Sequence, residues 1–379
     1  MVRVKNDRLS AEISLLGFGA MRLALKGDGS IDYAVNGEMV DKAVAGGVNY
    51  FDTAYVYHGQ ASEVFLGDTL VSRYPRDSFY VATKLPSFLV NKAEDMERML
   101  DESLKRLKTD YIDFYLMHSL DWAAWDKLKS FGAEGFIDRA KRSGKIRRAG
   151  FSSHATAAEF QKILDDYPEW EFTQIQLNYA DWETSPDIRG SFEIAERAGI
   201  PVAIMEPVRG GCLADPDAPP VKRIGALLKP GVTPASIALR WAAEHKAAYV
   251  VLSGMSTVAQ VEENLATFSP AEPLSSEERA AIAEAVSLMK SFPTIPCTAC
   301  GYCLDGCPAK IPIDEYFDAY NDYLYYNNAR SFHWLSSRGG GAPSDCVGCG
   351  VCASVCPQHI EIPQELKRLD GLIQGIKAR

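Results

Sequence analysis

Two stretches near the end of this 379-residue chain carry residues whose type and spacing can hold iron. In the first, Cys297, Cys300, Cys303 and Cys307 are followed by Pro308. In the second, Cys346, Cys349, Cys352 and Cys356 are followed by Pro357. Both read C-x2-C-x2-C-x3-C-P, a run that ligates [4Fe–4S] clusters. Thiolates two residues apart converge on one cubane because the loop between them curls around it. Structural zinc needs four ligands, usually as paired C-x2-C knuckles, and would leave the third closely spaced cysteine of each run idle. Disulfides suit short secreted chains, and this chain shows no secretory signal. Two [4Fe–4S] clusters are therefore expected. Cys212, the one cysteine outside the runs, reads as a small core or loop residue.

A second set of reactive types lies upstream, and placing it requires the elements that carry it. From about residue 10 to 290, short apolar runs alternate with amphipathic segments. Strand-like pieces fall near 14–19, 49–52, 79–84, 111–118, 146–152, 172–178, 201–206 and 249–253. Helical patterns fall at 92–107, 125–142, 157–166, 234–244 and 258–267. In the first of these, Met96, Met99, Leu100, Leu104 and Leu107 share one face. Eight strands in βα alternation predict a (β/α)8 TIM barrel. A doubly wound sheet usually announces a nucleotide with G-x-G-x-x-G, and the glycines at 17 and 19 lack the third. Barrel chemistry gathers at the C-terminal strand ends. There Asp52 ends one strand, Tyr57 follows in its loop, Lys84 ends the next strand and His118 the one after.

Prolines at 270, 273, 293 and 296 punctuate the exit from the barrel, and Ser275 to Glu278 reads as a capping box opening one more helix. The expected division is 1–290 for the barrel and 291–379 for a small, mainly helical iron–sulfur domain. The aromatic segment 316–334 reads as a core helix over the clusters rather than a tyrosine electron path. Net charge of −10 argues against a grip on nucleic acid or an anionic membrane. No apolar run approaches the ~18 residues of a spanning helix. A cytoplasmic location is expected, where thiolates stay reduced for clusters.

Several separate motifs resemble the aldo-keto reductases, in that family's order, over residues 10–268. They are Phe51-Asp52-Thr53-Ala54-Tyr55-Val56-Tyr57 with Gly59, Ser62 and Glu63; Ala82-Thr83-Lys84; Leu116-Met117-His118; and Gly150-Phe151-Ser152. The whole chain resembles the branch with a C-terminal ferredoxin-like domain. The resemblance implies a catalytic tetrad of Asp52, Tyr57, Lys84 and His118. Tyr57 would protonate the carbonyl oxygen, Lys84 would ease proton release, Asp52 would hold Lys84, and His118 would orient the substrate. It implies NAD(P)H contacts at Ser152, Ser153, Gln174 and Met205 for the nicotinamide. Pro207, Arg209 and Gly210 would meet the pyrophosphate, and Glu263 and Asn264 the adenine. Positions where many relatives carry cations for a 2′-phosphate fall on Gly254 and Gln260, which leaves NADH and NADPH both open. In two-cluster ferredoxins the ligands cross. This implies Cys297, Cys300, Cys303 and Cys356 on one cluster, and Cys346, Cys349, Cys352 and Cys307 on the other.

The function expected is reduction of a small-molecule carbonyl, or oxidation of an alcohol. Two alternatives stand beside it, because hydride transfer moves two electrons and a cluster moves one. The chain could pass single electrons between the barrel site and a ferredoxin or other redox partner. It could also be a redox-responsive binding protein with a silent barrel.

Overall fold

The short apolar runs become strands buried on both faces that close into a ring. The computed structural model describes residues 1–297, 301–356 and 358–377. It opens with a hairpin, β1 (Arg3–Asn6) and β2 (Ala11–Ser14), that the sequence reading had not separated. The barrel strands are β3 (Leu16–Gly19), β4 (Tyr50–Asp52), β5 (Tyr80–Pro86), β6 (Ile112–His118), β7 (Ile146–Ser153), β8 (Phe172–Gln176), β9 (Val202–Met205) and β10 (Ala248–Ser253). All pair in parallel with their sequence neighbours, and β10 pairs with β3 to close the barrel.

Helices connect them: α1 (Tyr33–Ala45), α2 (Ala61–Leu66), α3 (Ala93–Leu107), α4 (Trp122–Ser130), α5 (Ala133–Arg142), α6 (Ala157–Asp166), α7 (Tyr179–Thr184), α8 (Pro186–Arg197), α9 (Pro219–Gly225), α10 (Pro234–Ala243) and α11 (Val258–Thr267). The single helix expected over 125–142 is two. Gly132 takes φ +81 between them, a conformation that ends α4 and opens α5. Side chains alternate in and out along each strand. Tyr50, Phe114, Phe172 and Tyr249 fill the barrel floor, packed with Leu9, Ala11 and Ile13 from the hairpin. The floor is thus dry and structural, and two residues further along β4 the inward position is Asp52.

The remaining elements are α12 (Ser276–Ser291), α13 (Ile313–Tyr326), α14 (Arg330–Arg338), α15 (Val351–Ser354) and α16 (Ile362–Lys377). The aromatic segment breaks at Asn327, which is left-handed at φ +52. Tyr316, Phe317 and Tyr320 are buried in a core with Phe332, Ile362 and Leu369.

The chain divides into two compact units. One comprises Met1–Gly210 with Ala235–Ser276; the other comprises Gly211–Pro234 and the chain from Glu277 on. The sequence division at 290/291 differs from this partition, because α9 and α12 group with the cysteine-bearing residues. An ion pair between Arg223 of α9 and Glu284 of α12 joins those two helices.

Candidate active site and cluster ligands

Strand register brings Asp52 and Lys84 together, two of the four residues expected to form the tetrad. Asp52 aligns with Ala82 across β4 and β5, so Lys84 stands two residues further along on the same inward face. Lys84 Nζ donates to both Asp52 carboxylate oxygens at 2.7 and 2.8 Å, to the Thr53 carbonyl at 2.7 Å and to the Tyr57 hydroxyl at 3.4 Å. Lys84 is 1% exposed, so its ammonium depends on these partners for its charge. Burial pulls its pKa down, but Asp52 and Tyr57 outweigh burial and hold it above the ordinary lysine value. Burial alone pushes the Asp52 carboxyl up, against Lys84 pulling it down. The bidentate contact fits the charged pair, and that is the state the geometry supports. The Tyr57 hydroxyl is raised, by burial first, with Lys84 opposing. Tyr57 is therefore protonated at neutral pH, with its hydroxyl beside a fixed cation.

His118 ends β6, and its ring meets Tyr57 edge-on with centroids 6.0 Å apart. Burial, then Lys84 and His154, push its pKa down to about 3, so it is neutral and carries one N–H to donate. Its Nδ1 has no partner among the described residues. Phe88 lies 6.0 Å from the His118 ring and is 54% exposed, which gives the mouth an apolar wall.

Ser152 and Gln174 are register partners at the ends of β7 and β8. The Ser152 hydroxyl accepts from the Ser119 N–H at 2.9 Å, and Ser153 donates to the Leu120 carbonyl at 2.7 Å. Both serines thus brace the loop after His118. Gln174 directs its amide nitrogen toward the Met205 sulfur at 3.5 Å, and its Oε1 is buried without a partner among the described residues. A carboxamide N–H₂ would satisfy that orphaned acceptor, so the residues fit a nicotinamide. Pro207 is buried after β9. Asn264 on α11 donates to Ser253 at 2.9 Å, and Glu263 beside it is half-buried.

Arg209, expected as the pyrophosphate's charge partner, is paired with buried Asp181. Asp181 also accepts from Gln176 and Asn178, each at 2.6 Å. A different cation lies on this rim. A Cβ built on Gly210, where φ is +63, would come 2.8 Å from the Arg22 guanidinium, and one on Gly254 would meet the Arg22 stem at 3.2 Å. Arg22 therefore spans the two glycine positions, countered by Glu206 at 3.5 Å. Sequence reading missed it, because its neighbours lie near 200 residues away; the basic residue in the loop after β3 was the only local signal.

In the second unit, one cavity is lined by Cys307, Cys346, Cys349 and Cys352, and another by Cys297, Cys303 and Cys356. Cys300 lies outside the described residues. Among the described residues no three His, Cys, Asp or Glu side chains close tightly enough for a single metal ion. A cubane gives each thiolate its own iron, so cysteines lining one cavity are donors of the type a cluster takes. The Ile311 N–H donates to Cys307 Sγ at 3.5 Å. Cys212 is half-buried in this unit, its sulfur 3.7 Å from the Asn328 amide.

Residues 15–287 match the aldo/keto reductase family, and residues 296–361 match a 4Fe-4S dicluster domain. L-galactose dehydrogenase of Arabidopsis thaliana is 29% identical over 285 residues, covering 70% of this chain and 88% of that protein. A 6-dehydroglucose reductase of Novosphingobium aromaticivorans is 27% identical over 274 residues, covering 66% of this chain and 85% of that protein. Among solved structures, the holo form of aldo-keto reductase AKR11C1 from Bacillus halodurans superposes with a TM-score of 0.62 at 25% identity. That match covers 75% of this chain and 96% of the other. A Klebsiella pneumoniae aldo-keto reductase in complex with NADPH shares the fold at 22% identity and a TM-score of 0.59, over 75% of this chain and 95% of that one. With the barrel strands and the family match in agreement, this chain belongs to the aldo/keto reductase family and carries a 4Fe-4S domain at its C-terminal end.

Proposed function

We propose that the barrel reduces the carbonyl of a small molecule, or oxidises the corresponding alcohol, with a nicotinamide cofactor. The observation that carries this reading is the Lys84 ammonium, held by Asp52 and 3.4 Å from the Tyr57 hydroxyl. Nicotinamide, when bound, supplies or accepts the hydride. Gln174, Ser152, Ser153 and Met205 would hold its carboxamide end, and Arg22, with Gly210 and Pro207, would face its phosphates. Glu263 and Asn264 would lie toward the adenine. Arg22 on a 2′-phosphate would favour NADPH, whereas Arg22 on the pyrophosphate would serve NADH and NADPH alike.

The chain's own groups do the proton chemistry. As negative charge develops on the substrate oxygen, Tyr57 gives up its hydroxyl proton. Lys84 stabilises the phenolate left behind, and Asp52 keeps Lys84 charged and aimed. Neutral His118 donates a hydrogen bond to the same oxygen and fixes its direction. In the reverse direction the Tyr57 phenolate takes the alcohol proton.

The eight cysteines of the two runs would hold two [4Fe–4S] clusters with crossed ligation, supported by the grouping of Cys307 with the second run and of Cys356 with the first. Cys349 is exposed, which favours a partner-facing electron path as a second reading of the domain. Tyr57→Phe tests the main reading. Turnover of a carbonyl substrate should fall by orders of magnitude, with nicotinamide affinity nearly unchanged. Unchanged turnover would remove Tyr57 from the role of acid.

A further inference from the structure

The loop that carries Tyr57 adopts a backbone that its sequence would not choose alone. His58, Gly59 and Gln60 follow one another at φ +51, +61 and +77, three successive left-handed residues before α2 begins. Non-glycine residues visit this region singly, so a run containing His and Gln persists only where surrounding contacts over-determine it. Several of those contacts come from one side chain. Arg106, near the end of α3, donates to Gln60 Oε1 at 2.6 Å and to Glu63 Oε2 at 3.1 Å. Its guanidinium also lies over the Tyr55 ring at 4.3 Å. Besides Glu102 on its own helix, the residues it touches are 55, 60 and 63, which bracket Tyr57 on both sides.

The network continues to the lysine strand. Glu63 is fully buried, and its Oε1 accepts from the Thr83 hydroxyl at 2.7 Å, next to Lys84 on β5. The Ser62 and Thr53 hydroxyls bond each other at 2.8 Å, and the Thr53 carbonyl accepts from Lys84. Gly67 makes the approach possible. A Cβ there would stand 2.3 Å from the Arg106 carbonyl, so only glycine lets α3 come this close.

We infer that Arg106 and Glu63 are positioning residues: their ion pair, between a buried carboxylate and a half-buried guanidinium, locks the left-handed 58–60 segment and so holds the Tyr57 hydroxyl against Lys84. This rests on the reading of Tyr57 as the acid. Arg106 touches neither Tyr57 nor Lys84 itself. It acts through Gln60, Glu63 and Tyr55. Its fork serves Gln60, Glu63, Glu102 on its own helix and a ring face at once, a geometry that a lysine ammonium does not reproduce.

The test uses the full cluster-loaded chain and three variants, Arg106→Met, Arg106→Lys and Gln60→Gly. The last accepts φ +77 without strain and removes one arm of the clamp, so it folds even if the arginine variants do not. Hydrogen exchange at amides 57–62, NADPH affinity by fluorescence, and kcat with 4-nitrobenzaldehyde are measured on each. We expect faster exchange confined to 57–62 and NADPH affinity within about twofold. We also expect kcat lowered about tenfold for Gln60→Gly and up to about a hundredfold for Arg106→Met, the scale of a roughly 1 Å misplacement. Arg106→Lys should resemble Arg106→Met more than the parent. Wild-type exchange at 57–62 in Gln60→Gly and in whichever arginine variant folds would overturn the clamp, as would exchange that rises while kcat stays at the parent value. If Tyr57→Phe leaves turnover intact, the acid assignment fails, while the exchange data still decide whether Arg106 fixes the loop.

Discussion

Replacing Lys84 by Met separates the catalytic from the structural work of one buried charge. The ammonium stands 3.4 Å from the Tyr57 hydroxyl. At that distance and an effective dielectric of about 20, unit charges interact by about 5 kcal/mol. With the phenolic proton roughly half transferred in the transition state, about half of this is felt, so kcat should fall roughly 50- to 100-fold. The same substitution leaves Asp52, which is 3% exposed, without its cation. Orphaning one member of a buried pair costs about 3–5 kcal/mol. The double variant Asp52→Asn/Lys84→Met has no such charge, so it should recover most of the stability and remain slow. Urea unfolding and single-turnover kinetics, each run anaerobically, report the two effects separately. A Lys84→Met enzyme with kcat within threefold of the parent would refute the electrostatic role. A double variant no more stable than the single would refute the assignment of the stability loss to Asp52.

Three further outcomes are expected. Anaerobically purified protein should carry about eight irons and eight sulfides, as two cubanes require; Cys307→Ala should lose the cluster associated with Cys346, Cys349 and Cys352 and keep the other, whereas loss of the cluster of its own run would refute crossing. Arg22→Met should weaken NADPH binding about tenfold or more at low salt, with NADH weakened equally if the pyrophosphate is the target; no change in either would remove Arg22 from the cofactor site. Burial pushes His118 down to about 3, with Lys84 and His154 adding to it, and burial pushes His245 down to about 4. Both lie below the unfolded value near 6.5, so the unfolded chain binds protons that the native chain does not. Stability should be full above about pH 6.5 and decline as pH falls toward 4 and 3. His245→Phe, which keeps a ring among Trp182, Phe192 and Trp241, should flatten the decline between pH 6.5 and 4; an unaltered slope there would refute it.

Features governed by local spacing were legible in the sequence. The cysteine runs need only a loop that curls, so their two- and three-residue intervals announce ligation without any tertiary knowledge. The barrel strands were legible as short apolar runs between amphipathic segments, because strands buried on both faces are apolar throughout. Once Asp52 and Lys84 stand at strand ends, adjacency and register bring them together. The breaks at Gly132 and Asn327 were less visible, because apolar periodicity runs across both and only the left-handed backbone interrupts it.

What the sequence could not place was set by long-range packing. Nothing near Arg106 marks it as a partner of Gln60 and Glu63, since the contact exists only because Gly67 lets α3 approach α2. Nothing near Arg209 says that Asp181 occupies it, or that Arg22 lies across Gly210 and Gly254 instead. The grouping of Gly211–Pro234 with the cysteine-bearing residues likewise has no compositional signature. Residue type and local interval suffice for chemistry that one loop or one strand can present. Charges that hold a loop, or face a ligand from a distant element, depend on which surfaces close packing brings together, and only the folded chain decides that.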